Sequence, residues 1–145
     1  MWGEVRMLEQ GVKREKPVIL IVDDSTTIVK GATLFLGDDY DIKFCNNGYD
    51  ALASVVRNRP DVIFLDVVMP RLDGHKVCMA LRSNPEYADL PIVMLSSKDS
   101  VFDRARGLMM GCNDYLSKPF TKDELLSAIA KFVPDSKAAR DLGGA

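Results

Sequence analysis

The chain has 145 residues, a length that suits one folded domain and leaves little room for a second. With 47% hydrophobic residues it has enough apolar material for a packed core, and 19 basic against 21 acidic residues give a formal charge of −2, without the basic excess of a nucleic-acid binder. No apolar run is long enough to cross a bilayer, and the opening residues lack the apolar stretch of a secretory signal, so a cytoplasmic protein that engages neither nucleic acid nor membrane directly is expected.

In chain order, residues 1–16 are polar and charge-rich with no sustained period and read as a leader. Val18-Ile19-Leu20-Ile21-Val22 is a continuous β-branched apolar run, as a strand buried on both faces requires. Ile28, Ala32, Phe35 and Leu36 then follow helical spacing. Asp41-Ile42-Lys43-Phe44-Cys45 alternates as a second strand, followed by a helix with Leu52, Val55 and Val56 on its apolar face. Val62-Ile63-Phe64-Leu65 is a third strand, and Val77, Cys78 and Leu81 mark a third helix. Ile92-Val93-Met94-Leu95 is a fourth strand. The helix after it carries Val101, Ala105, Leu108 and Met109 and opens on Ser100 with Asp103 three residues on, close to a capping box. Tyr115-Leu116 is a short fifth strand, and Leu125, Ile129, Phe132 and Val133 form the last helical face. Residues 134–145, from Pro134 to Gly143-Gly144-Ala145, read as a short tail, so the folded unit is 17–133. Five β-α repeats with right-handed crossovers predict an α/β fold, a (βα)5 three-layer sandwich around a central five-stranded parallel sheet.

The polar residues sit at one kind of place. Asp23 and Asp24 follow strand 1, Asp66 follows strand 3, Ser96 follows strand 4 and Lys118 follows strand 5. In an open parallel sheet the carboxyl ends of the strands share one edge, where ligands bind, so these residues converge on one cleft. Three carboxylates held together repel one another, and a hard divalent cation with oxygen ligands resolves the conflict, which describes a Mg²⁺ site. A carboxylate nucleophile, a metal, an ammonium from Lys118 and a hydroxyl from Ser96 are the parts needed to make and hold an aspartyl phosphate. Singly, each has a plainer role: Asp23-Asp24 as a helix cap, Asp66 as a turn residue, Ser96 as loop and Lys118 as a solvated charge. Their joint placement at four strand ends favours the site. The three cysteines, Cys45, Cys78 and Cys112, have no metal-ligand spacing and read as small core side chains, and the single histidine, His75, cannot build a His-rich metal site.

Ile21-Val22-Asp23-Asp24-Ser25, Phe64-Leu65-Asp66-Val67-Val68-Met69-Pro70, Met94-Leu95-Ser96-Ser97 and Tyr115-Leu116-Ser117-Lys118-Pro119-Phe120 resemble, in order and spacing, the motifs of two-component response-regulator receiver domains of the CheY-like type. The resemblance implies that Asp66 is the phosphoacceptor. It makes Asp24 and Asp66 direct Mg²⁺ ligands, with Asp23 acting through water and the Val68 backbone carbonyl completing the set. It implies that Lys118 pairs with the phosphoryl group and precedes a cis proline, and that Ser96 and Tyr115 form a switch in which the hydroxyl moves to the phosphoryl group and the ring turns inward. Output would pass through the surface of helix 4, strand 5 and helix 5, with Arg104 and Leu108 flanking Tyr115. Val68 and Lys98 occupy the two variable positions that govern phosphoryl lifetime in such proteins. Met69-Pro70-Arg71-Leu72-Asp73-Gly74 and the run from Leu95 to Asp103 look most like the stand-alone regulators of type IV pilus twitching motility, which implies a sensor histidine kinase as phosphodonor and a downstream motility or regulatory protein as partner.

Three other readings fit less well. Haloacid-dehalogenase-type phosphatases place a second aspartate two residues after the nucleophile, where this chain has Val68. A phosphorylation-independent pseudo-receiver scaffold would be marked by loss of an acidic residue or of the lysine, and none is lost. A flavin-binding protein of the same topology would find its phosphate repelled by Asp23-Asp24.

Overall fold

A computed structural model describes residues 16–97 and 101–142. Its centre is a five-stranded parallel sheet of β1 (Val18–Val22), β2 (Asp41–Cys45), β3 (Val62–Asp66), β4 (Ile92–Ser96) and β5 (Asp114–Ser117), in the order β2-β1-β3-β4-β5. The helices are α1 (Thr26–Leu36), α2 (Gly48–Asn58), α3 (Gly74–Arg82), α4 (Val101–Met109), α5 (Lys122–Phe132) and α6 (Lys137–Asp141). The expected α/β three-layer sandwich is the fold.

β1, β3 and β4 are buried along their whole length, as their uninterrupted apolar runs require, whereas β2 and β5 form the edges and are only partly covered. Side chains on a strand alternate between faces. Ile19 and Ile21 therefore join Val62, Phe64, Val93 and Leu95 under α1 and α5, while Leu20 and Val22 join Ile63, Leu65, Ile92 and Met94 under α2 and α3. Local signals start the helices: the side chains of Ser25, Asn47, Asp73 and Thr121 each accept from a backbone N–H in the first turn, and Thr121 with Glu124 completes a capping box.

The structure revises several sequence-based expectations. Val56 is 59% exposed; α2 buries Ala51, Ser54 and Val55, with Leu52 half-covered. In α4, Ala105, Leu108 and Met109 face solvent, and among the residues from Arg104 to Met109 it is Gly107 that turns inward. The reason is steric: a Cβ at position 107 would lie 2.3 Å from Cε2 of Tyr115, so at that position the helix sets bare backbone against β5. Asp66 and Ser96 are the last residues of their strands, not the first beyond them. The segment read as a tail carries α6, with Ser136 and Ala138 buried and the Ala138 N–H donating to the Tyr40 hydroxyl at 3.0 Å. The leader up to residue 15, the Ser100 cap with the Asp103 side chain, the Val101 side chain and Lys98 lie outside the described residues.

Candidate functional site

The carboxyl edge of the sheet brings together the residues that β1, β3, β4 and β5 deliver. Asp23 leaves β1 almost fully buried, and its Oδ1 accepts from the Ser25 N–H at 2.9 Å, which turns the chain into α1. Asp24 beside it is exposed. Asp66 closes β3 with 3% of its surface exposed, and its Oδ1 accepts from the Val68 N–H at 3.2 Å. A carboxylate oxygen from each of Asp23, Asp24 and Asp66 lies within 4.8 Å of the others. Among the described residues this is where acidic groups gather closely enough to hold a metal ion.

Lys118, immediately after β5, reaches across the cleft. Its Nζ is 3.0 Å from Asp23 Oδ2 and 3.2 Å from Asp66 Oδ2. Its own N–H donates to the Ser96 carbonyl at 2.7 Å, and the Lys118-Pro119 peptide is cis, as the resemblance implied. The loop after β3 is pinned from below: the Val67 N–H donates to the Leu95 carbonyl and the Gly74 N–H to the Val67 carbonyl. Gly74 is required there, because a Cβ would sit 2.2 Å from the Asp66 carbonyl oxygen.

Electrostatics follow from this crowding. Burial pushes the Asp66 carboxyl above its usual range, and the charge of Asp23 pushes it further, against the pull of Lys118 and the Val68 N–H. Burial alone would lower Lys118, but its hydrogen bond to Asp23 and the charges of Asp66 and Asp23 hold it above the ordinary lysine value. Three carboxylates therefore face one firmly charged ammonium, and a negative excess remains. An oxygen-rich, negatively biased cleft is a good host for a hard divalent cation such as Mg²⁺.

Ser96 is buried at the end of β4, level with Ser117 on β5. Val68 is 75% exposed at the rim. Tyr115 is half-buried against the core layer of α2 and α3. Arg104 and Leu108 are exposed one helical turn apart on α4, the helix whose Gly107 abuts the Tyr115 ring. One neighbour escaped sequence reasoning: the Tyr115 hydroxyl lies 3.4 Å from Nε2 of His75, which is buried at the start of α3. Nothing in the local sequence around His75 signals a contact forty positions away.

Residues 19–130 match the family described as response regulator receiver domain, and the chain belongs to that family. It is 44% identical over 117 residues to Protein PilG of Pseudomonas aeruginosa, covering 80% of this chain and 87% of PilG. It is also 44% identical over 120 residues to the response regulator MprA of Mycobacterium leprae, where the match covers 82% of this chain but only 52% of MprA. Among solved structures, the chemotaxis protein CheY4 of Vibrio cholerae superimposes with a TM-score of 0.76 at 32% identity, covering 81% of this chain and 99% of that one. The receiver domain of a sensor histidine kinase from Pseudomonas aeruginosa PAO1, with a magnesium ion coordinated in its active-site cleft, gives a TM-score of 0.75 at 29% identity, covering 83% and 99%.

Proposed function

We propose that this receiver accepts a phosphoryl group from a sensor histidine kinase on Asp66, with Mg²⁺ bound by the acidic cluster, and that it changes partner binding in response. The observation that carries the reading is the buried Asp66 carboxylate, which shares a 4.8 Å cluster with Asp23 and Asp24 and lies 3.2 Å from Lys118. Asp24 and Asp66 would hold the ion directly, Asp23 through water, and the Val68 carbonyl would complete the protein's share. Bound Mg²⁺ supplies charge neutralisation for phosphoryl oxygens. The Asp66 carboxylate oxygen attacks phosphorus as the bond to the donor's imidazole nitrogen breaks, and the electron pair leaves with the imidazole. Lys118 is placed to pair with the incoming phosphoryl oxygens, and Ser96 to donate to one of them.

The protein acts on no substrate beyond its own phosphoryl group. Its output runs through Ser96 and Tyr115 to the surface of α4, β5 and α5, where Arg104 and Leu108 are exposed. We place it in type IV pilus motility signalling in the cytoplasm, on the resemblance of Met69-Pro70-Arg71-Leu72-Asp73-Gly74 and the run from Leu95 to Asp103 to stand-alone twitching-motility regulators. No described helix is long and apolar enough to cross a membrane.

Intact-mass spectrometry after incubation with acetyl phosphate and Mg²⁺ tests the central step. One labile phosphoryl adduct is expected on the wild type and none on Asp66→Ala; an undiminished adduct on the variant overturns the assignment.

A further inference from the structure

We infer that His75 is a positioning residue for the switch, holding Tyr115 in its inward seat before any phosphoryl group arrives. The inference rests on the switch reading above and adds to it a residue and a resting bias. Three observations carry it. The Tyr115 hydroxyl is 3.4 Å from His75 Nε2, at the long end of hydrogen-bond reach. His75 is itself 6% exposed, at the first turn of α3, so its ring is fixed by its surroundings and offers a preset polar anchor inside an apolar layer. Gly107 leaves the ring its room, since a Cβ there would stand 2.3 Å from Tyr115 Cε2.

The physical argument is one of linkage. A half-buried tyrosine needs a partner for its hydroxyl, or the inward position is disfavoured. His75 supplies a partner at 3.4 Å and so adds to the inward population of the unphosphorylated protein. A phosphoryl group that favours the inward ring then meets a protein already partly in the competent state, and its apparent affinity rises by the same factor. Either ring tautomer serves, because the tyrosine hydroxyl can donate to a bare Nε2 or accept from a protonated one.

The test reads the ring and the site separately. Protein labelled with 3-fluorotyrosine, with the Tyr115 signal assigned by Tyr115→Phe, is examined by ¹⁹F NMR without any phosphoryl mimic. His75→Leu is expected to move or broaden the Tyr115 resonance, and His75→Gln, whose amide reaches the Nε2 position, to restore it. Beryllofluoride with magnesium chloride is then titrated. His75→Leu should bind the mimic about threefold to tenfold more weakly than the wild type, the range set by losing one part-buried hydrogen bond. His75→Gln should bind within about twofold of the wild type, since it keeps that bond. Tyr115→Phe should weaken binding like His75→Leu, and the double variant no further than either alone. If His75→Leu fails to fold, Tyr115→Phe reads the same contact from its other side, and undiminished affinity there overturns the inference. An unmoved resonance in His75→Leu, or additive losses in the double variant, also overturns it. A wild type that binds no mimic would reject the phosphoryl-site reading, while the ring signal would still decide the contact.

Discussion

Lys118 Nζ and Asp66 Oδ2 are 3.2 Å apart, although the two residues come from the ends of different strands, β5 and β3. The same ammonium is 3.0 Å from Asp23, so one positive charge is shared between two buried carboxylates while Asp24 stands beside them. Charge is thus unbalanced at the buried edge of the sheet, and the first two predictions follow from that imbalance.

Asp66→Asn should stabilise the metal-free protein at neutral pH. The Asp66 carboxyl is held above its usual range by burial and then by Asp23. Below the ordinary carboxylate range, native and unfolded chains both carry the proton and the residue adds no pH dependence. As pH rises, the unfolded chain ionises first, and native stability falls until the native carboxyl also ionises. Once the native carboxyl has ionised the penalty is complete, and asparagine avoids it while Lys118 keeps its contact with Asp23. Thermal melts in EDTA should place the variant a few degrees above wild type, each kcal/mol being worth about 3–6 °C at this size. The gap should close toward about pH 3. A gap that grows on acidification contradicts the assignment.

Asp24→Ala separates metal binding from charge repulsion. Removing this exposed carboxylate takes away one of the three oxygen donors, so the Mg²⁺-induced rise in melting temperature should fall to less than half of the wild-type rise. Ligand at a hundredfold excess over its Kd stabilises by about 2.7 kcal/mol, a shift easily read in wild type. In EDTA the variant should melt no lower than wild type, since a like charge has gone. A full wild-type Mg²⁺ shift in Asp24→Ala would place the ion elsewhere.

The sequence carried the sheet because β1, β3 and β4 are covered on both faces, and such strands need the uninterrupted apolar runs seen at Ile19, Phe64 and Met94. The acidic cluster was legible for a related reason: parallel topology alone sends Asp23, Asp66 and Lys118 to one edge. α4 was misread because periodicity reports where apolar side chains recur, not which face a neighbour can accept. Leu108 and Met109 keep the period yet stay exposed, and the Tyr115 ring leaves no room for a Cβ at position 107. The His75 contact was hidden because it joins α3 to β5 through the interior, and no local pattern encodes such a pair. The α6 contact was hidden similarly, since it depends on Tyr40 meeting the backbone of Ala138.

Two glycines should respond to alanine with opposite signs. At Gly74 the new Cβ would meet the Asp66 carbonyl oxygen at 2.2 Å and its carbon at 3.0 Å, both backbone atoms that cannot swing aside. Gly74→Ala should therefore lose about 1–3 kcal/mol and weaken the Mg²⁺ response, because the displaced atoms belong to the Asp66 loop. At Gly31, within α1, nothing lies within 4 Å of the added methyl, so Gly31→Ala should gain about 0.5–1 kcal/mol from helix propensity. Urea midpoints for both variants check the pair, and a tolerated Gly74→Ala would mean that the loop beneath Asp66 is looser than its contacts require.

Ser96→Ala should uncouple phosphorylation from output. Ser96 is buried at the end of β4, and its carbonyl, not its hydroxyl, accepts from the Lys118 N–H, so alanine leaves that backbone link intact. Tyr115 pairs with Met94 on the same strand, two positions before Ser96, which places ring and hydroxyl on one rigid ladder. A phosphoryl group on Asp66 adds about two negative charges at neutral pH, and a serine hydroxyl can follow that charge as a donor whereas a methyl cannot. The shift in Tyr115, and with it the α4 surface that presents Arg104 and Leu108, can be no larger than the differential interaction the phosphoryl group makes in the two states. Deleting the donor should leave the Asp66 adduct detectable by mass spectrometry while cutting the phosphorylation-dependent gain in partner affinity, a coupling of typically about 5–150-fold, toward unity. Titrating a partner against beryllofluoride-loaded wild type and Ser96→Ala measures both gains side by side. Equal gains would show that the signal reaches α4 and β5 without the Ser96 hydroxyl.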